Sequence, residues 1–162
     1  MIIIRSFDIN NPGTDAENLK GGVAGGTILK GVLKVGDLIS IRPGIISKDP
    51  RTGAVKWREV QSQIVTLKAD ENQLMYAVPG GLIGVGTTVD PSLTRADNLV
   101  GYIIGHTGKM PDVFMEIEAT YYLLKRLLGV KARASKDAAD AKNAAKVSGL
   151  KAEEKLMINV GS

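Results

Sequence analysis

The sequence predicts an all-β protein: a small antiparallel β-barrel followed by part of a second one. Three features point there. Nineteen glycines among 162 residues break up short runs rich in Ile, Val, Leu and Thr, which is the punctuation of strands joined by turns. Turn pairs recur between those runs, among them Gly36-Asp37, Pro43-Gly44, Pro79-Gly80 and Asp90-Pro91. Short strands at this spacing indicate closure into a barrel, the arrangement by which an antiparallel sheet avoids exposed edges.

Residues 2–8 read as the first strand, ended by Asn10, Asn11, Pro12 and Gly13, because Asn tolerates unusual backbone angles and Pro removes a ladder donor. A loop then runs to Lys20, and residues 22–33 form a glycine-interrupted strand. Gly36-Asp37 makes a tight turn and Leu38, Ile39 and Ile41 return as a short strand, a hairpin signature. Lys48-Asp49-Pro50-Arg51-Thr52-Gly53 is a charged turn, after which residues 58–67 alternate as an exposed-edge strand. A short apolar segment at 74–78 enters Pro79-Gly80-Gly81, and Leu82, Ile83 and Val85 follow as the partner strand of another hairpin.

The polar stretch 93–99 marks a boundary, so the first barrel is expected over residues 1–95 and the start of the second over 96–162. Residues 100–106 begin the second barrel as a new strand. Val113, Met115, Ile117, Ala119, Tyr121 and Leu123 alternate with Glu116, Glu118 and Thr120, a period-two strand with one wet face, with a helix as the alternative. Residues 131–155 are rich in Ala, Lys and Asp and offer no apolar face to bury, which predicts a mobile loop or a marginal helix. Residues 156–160 read as a strand whose neighbours lie beyond Ser162.

Composition narrows the function. No apolar run approaches the ~18 residues of a membrane-spanning helix, and the apolar start lacks the basic flank and cleavage site of a signal peptide, so a cytoplasmic protein that touches no membrane is expected. Cysteine is absent, which excludes disulfides and thiolate metal sites. The net charge of +4 suits an anionic partner such as RNA, but mixed-sign surface charge is the default of soluble domains. Only 4% of residues are aromatic, too few for a base-stacking platform.

No catalytic constellation stands out. Gly21-Gly22-Val23-Ala24-Gly25-Gly26-Thr27 lacks the Lys of a phosphate-binding loop and opens no helix, so its glycines are read as letting one barrel strand pack closely on its neighbour. His106 is the single histidine and has no partner residues for a triad or metal site. Glu116 and Glu118 share a strand face but fit plain solvated alternation, and Lys125-Arg126 reads as a polar break between apolar pairs.

The run from Val23 through Lys30-Gly31-Val32-Leu33-Lys34-Val35-Gly36-Asp37 to Ile41 resembles the strand-turn-strand signature in the second domain of translational GTPases such as elongation factor Tu. Arg5-Ser6-Phe7-Asp8-Ile9-Asn10, Pro12-Gly13-Thr14, Arg42-Pro43-Gly44-Ile45, Pro79-Gly80-Gly81-Leu82-Ile83-Gly84-Val85-Gly86 and Leu123-Leu124-Lys125-Arg126-Leu127-Leu128-Gly129-Val130 resemble the gamma subunit of eukaryotic and archaeal translation initiation factor two in particular. Residues 157–162 continue the likeness into a third domain, whereas the Ala-rich stretch 131–147 departs from it. The resemblance implies a non-catalytic fragment of a GTP-binding, magnesium-dependent factor. That factor has alpha, beta and gamma subunits and brings initiator methionyl-tRNA to the small ribosomal subunit. No cofactor is expected in the fragment itself. It further implies that Lys68, Ala69, Leu82, Gly84, Val85 and Gly86 face the tRNA 3′ end. Lys48, Arg51, Lys56 and Arg58 become candidates for docking the alpha subunit. The alternatives are a structural, protein-binding barrel without direct tRNA contact and a self-sufficient enzyme built on a small barrel; the missing triad, metal cluster and phosphate loop speak against the second.

Overall fold

Six strands close on themselves to make the core of the protein. The computed structural model describes residues 1–123, 149–150 and 153–158, and the chain divides into one unit built on Met1–Val113 and another on Phe114–Ile158. In the first lie β1 (Ile2–Phe7), β2 (Val23–Thr27), β3 (Leu33–Lys34), β4 (Leu38–Lys48), β5 (Val55–Ala69), β6 (Asn72–Leu74), β7 (Tyr76–Ala77), β8 (Ile83–Thr87), the helical turn α1 (Pro91–Thr94) and β9 (Ile103–His106). The ladder runs β4-β9-β1-β2-β8-β5, and β5 pairs back onto β4 to close an antiparallel barrel. β6 adds to β5, while β3 and β7 form a separate two-stranded sheet.

The inward positions explain the closure. Ile3 of β1, Ile39 and Ile41 of β4, Ile64 and Leu67 of β5, Val85 of β8 and Ile104 of β9 are all buried in one cluster, each contributing about 1.5–3 kcal/mol by leaving water. Two of these spacings are three rather than two or four. β1 buries Ile3 and then Ser6, and β5 buries Ile64 and then Leu67, because each strand carries an irregularity, between Ile3 and Arg5 and between Ile64 and Thr66. An extra residue there moves the next side chain to the other face.

Close approach also has a residue cause. A Cβ on Gly26 would fall on the carbonyl oxygen of Ile2 in the neighbouring strand, so only glycine lets β1 and β2 meet at that register. This supports the packing role read for the glycine run.

One end of the barrel is finished by the stretch read as a boundary. Asp90 accepts a hydrogen bond from Ser92 N at 2.9 Å and starts α1 with Pro91 in its first turn, a favoured start. The Asp97 carboxylate accepts from Ser6 N at 2.9 Å and from Arg5 at 2.8 Å, and Leu99 N donates to the buried Ser6 hydroxyl at 3.0 Å. Residues 93–99 are therefore part of the barrel. The strand expected to open a second barrel, β9, pairs with both β1 and β4 and completes the first one, so the boundary expected at 95 falls inside the Met1–Val113 unit.

Pairing departs from the sequence reading elsewhere. The strand expected over 22–33 is two, β2 and β3, separated by Gly31 at φ +82. The Gly36-Asp37 turn forms, with Asp37 N donating to Lys34 O at 3.1 Å, but it joins β3 to β4 and these do not pair. The long hairpin is instead β4–β5, turning through residues 49–54. β5 is no edge strand over its second half, since it pairs with β8, and β7 and β8 are not partners.

In the second unit no described residue lies in a strand. The alternation at 113–123 finds no ladder there: Met115, Ile117 and Tyr121 are exposed, as are the intervening residues. Residues 156–158 likewise carry no strand. Lys125, Arg126, the rest of the strand read at 156–160 and most of the segment 131–155 lie outside the described residues.

Candidate functional site

Four adjacent barrel strands turn a trough outward. Cross-strand register lines up Arg5, Gly25, Gly84 and Lys68 in one row and Phe7, Val23, Gly86 and Thr66 in the next. Directly opposed residues on a sheet share a face. The middle strands thus present mostly glycine, while β1 and β5 raise side chains on either side. At about 4.8 Å per strand the walls stand roughly 14 Å apart at the backbone. The groove has a volume of about 440 Å³, with Ile9, Asp70 and Leu82 at its ends.

Beyond Gly86 the trough passes into a second depression of about 410 Å³ lined by Ile9, Leu19, Lys20, Val65 and Thr88. Its end wall is the loop after β1, and one side chain closes that loop. Asn10 donates through its amide nitrogen to Lys20 O at 2.7 Å and accepts from Lys20 N at 2.7 Å, while Asp8 caps Asn10 N at 2.8 Å. The cationic groups Arg5, Lys68 and Lys20 therefore border a largely apolar and backbone surface. Arg5 is held by Asp97; hydrogen bonds from Ser6 N, then from Arg5, keep that carboxyl below the usual carboxylate range.

Of the residues expected at this surface, Lys68, Leu82, Gly84 and Gly86 line the groove. Val85 does not: it is 0% exposed and points into the core. Ala69 sits on the alternate side of β5 from Lys68, paired with Asn72 of β6. The sequence reading missed the opposite wall, Arg5 and Phe7, and the floor residue Gly25. Period-two counting on β1 and β2 carried the signal, but only the register shows which strands are neighbours.

The second candidate surface is the β4–β5 hairpin. Lys48, Arg51 and Lys56 border a shallow depression at its tip, and all four expected basic residues are exposed. Lys56 opposes Ser47, and Arg58 opposes Ile45 on the same face. Lys48 lies on the other face with Val55, Ile46 and Trp57, three exposed apolar side chains. Asp49 closes the turn by accepting from Arg51 N at 2.8 Å and Thr52 N at 3.3 Å, which lowers its pKa. At the hairpin base, Arg42 Nε donates to Glu59 at 2.9 Å, and that bond holds the Glu59 carboxyl below its ordinary range.

His106 is accounted for by structure. Its Nε2 donates to Val32 O at 2.9 Å and its Nδ1 lies 3.8 Å from the Asp37 carboxylate, so the ring ties β9 to the β3 region. Among the described residues no three His, Asp or Glu side chains gather as a metal site.

A closed antiparallel barrel of six strands is consistent with the all-β fold expected from the likeness to the second domain of translational GTPases. Along all 162 residues the chain is 52% identical to eukaryotic translation initiation factor 2 subunit 3 of Drosophila melanogaster. The chain spans 33% of that relative's length. The likeness to the gamma subunit of initiation factor two, drawn from the sequence motifs, is borne out over the whole chain. No family model matches the chain. Among the described residues no helix is long and apolar enough to cross a membrane.

Proposed function

We propose that the chain serves as a barrel module of a translation initiation factor, and that its outer trough receives the aminoacylated 3′ end of initiator methionyl-tRNA. The observation that carries this reading is the row Arg5-Gly25-Gly84-Lys68. Bare backbone flanked by two cations suits a nucleotide, because glycine admits a ring closely while Arg and Lys attract its phosphate. In this reading the chain binds without performing a reaction. GTP and magnesium belong to the rest of the factor, and the alpha and beta subunits and the small ribosomal subunit are its cytoplasmic partners. The basic hairpin over residues 45–58 is the docking surface for the alpha subunit.

A substitution that the barrel tolerates tests the trough. A Cβ at Gly84 would lie 3.8 Å from Lys68 O and one at Gly25 3.6 Å from Arg5 Cβ, ordinary contacts, and Val suits a strand. Gly84→Val in the intact factor is expected to leave the melting temperature within a few degrees and to weaken charged initiator tRNA about tenfold or more in a filter-binding titration. Unchanged affinity in a folded variant would remove the trough from the tRNA path. The second reading, a barrel that binds only proteins, is favoured by the exposed Ile46, Val55 and Trp57 face of the hairpin, and it gains if Gly84→Val is silent while hairpin variants lose the alpha subunit.

A further inference from the structure

The β4–β5 ladder is broken between Ile41 and Ile45, and Arg42 stands at the break. Its backbone belongs to the barrel, opposite Ile103 of β9. Its side chain, 18% exposed, reaches out of it. Nε donates to Glu59 at 2.9 Å, and one terminal nitrogen donates to Pro111 O at 2.7 Å with Met110 O at 3.4 Å. The Asp112 carboxylate lies 3.9 Å from that nitrogen and is largely exposed. The guanidinium carbon is 5.7 Å from the centre of the Trp57 ring. One side chain therefore holds the root of the hairpin, through Trp57 and Glu59, and the segment by which the chain leaves β9.

A break of this kind is where a ribbon bends. Past it, residues 45–48 pair only with 55–58, and a two-stranded ribbon has little orientation of its own. Gly44 sits at φ +83, and a Cβ there would meet Arg58 O, so the backbone of the break is closely packed and Arg42 spans it from the side.

We propose that Arg42 is the positioning residue of the hairpin: it sets the angle at which residues 45–58 project and makes that projection and the segment 107–113 hold or loosen together. The use of that coupling rests on the reading of the hairpin as a docking surface. A planar guanidinium donates in several directions within its plane while offering a face to an indole. A Lys ammonium ends one bond short of the terminal guanidinium nitrogens and lacks their fixed fork, so Arg42→Lys is expected to keep the charge pair with Glu59 and to lose the bond to Pro111 O.

Hydrogen exchange by mass spectrometry on the full chain, with acrylamide quenching of Trp57, the single tryptophan, decides the proposal. Arg42→Gln is expected to raise exchange about tenfold both in the hairpin peptide and in 107–113, and to make Trp57 more quenchable, while β1 and β8 stay protected. Arg42→Lys is expected to restore the hairpin peptide but not 107–113; should the Gln variant fail to fold, this split alone decides. Unchanged exchange in 107–113, or an equal rise across the β1 and β8 core, would overturn it, the latter because Arg42 would then serve global stability only. Titration with the alpha subunit forms a separate arm: if the wild-type chain shows no binding, the docking reading falls, while the exchange result still judges the coupling.

Discussion

Ile39 is completely buried in the barrel cluster and neighbours strands on both sides of its own. Truncation there removes packing that the closed sheet cannot relax to recover, so Ile39→Ala is expected to cost about 2–5 kcal/mol, read as a lower denaturant midpoint in urea. Charged residues give a second prediction at this scale. Asp49, Glu59, Asp90 and Asp97 each accept hydrogen bonds that lower their pKa in the folded chain: backbone N–H groups lead for Asp49 and Asp97, the Arg42 side chain for Glu59 and the Ser92 hydroxyl for Asp90. A folded pKa below the unfolded one means that the unfolded chain binds more protons. The stability is thus fully present above the ordinary carboxylate range near ~4 and is lost as pH falls through the folded values. Thermal melts between pH 7 and pH 3 should show the midpoint falling chiefly below about pH 4.5; a flat profile would mean that these contacts do not persist in solution. The trough was half legible at the residue scale. Lys68, Leu82, Gly84 and Gly86 followed from family resemblance, whereas Val85, implied by the same resemblance, points into the core because successive residues of a strand face opposite sides.

Strands are the elements that the sequence announced best, and pairing is what it concealed. β1, β8 and β9 fall within a few residues of where apolar runs and turn residues predict them, and β4 begins where expected but runs on past Pro43-Gly44 to Lys48. Among their pairings only β1–β2 and β4–β5 follow from proximity in sequence; β8 pairs with β2 and β5, and β9 returns to β1 and β4. The alternation at 113–123 shows the converse: a period-two pattern makes a strand only when a neighbour supplies the other half of each hydrogen bond. β9 yields the prediction for this scale. Its backbone closes the gap between β4 and β1, with Ile104 buried at 1%, so a chain ending at residue 113 should unfold in one cooperative transition. A chain ending at residue 99 should not, because it leaves two open edges and an unfilled core. Equal cooperativity in the two truncations would show that closure is unnecessary.

For the molecule as a whole, the division of labour proposed above has a salt signature. If the rest of the proposed factor supplies a second wall of the tRNA site, the isolated chain should bind initiator tRNA weakly, through Arg5, Lys68, Lys20 and the hairpin cations. Such phosphate contacts release counterions and weaken steeply as salt rises. Fluorescence titrations with charged and uncharged tRNA at 50 mM and 200 mM salt should show a strong salt effect and no preference for the methionyl group; tight, selective and salt-insensitive binding by the chain alone would contradict the shared site. The basic charge was legible from composition, and Lys68 and the hairpin cations were assigned to two surfaces from family resemblance, but the gathering of Arg5 and Lys20 beside Lys68 was not, because that depends on barrel closure. Closure has one more consequence. β9 runs antiparallel to β1, with Ile2 opposite Ile103 and Ile104 N bonded to Met1 O, so the chain comes into the barrel and departs from it at the same end. A module with such side-by-side portals can be carried as a pendant on a host chain: grafted into a surface loop of an unrelated protein, it would fold while adding only a short loop-closure cost to its host.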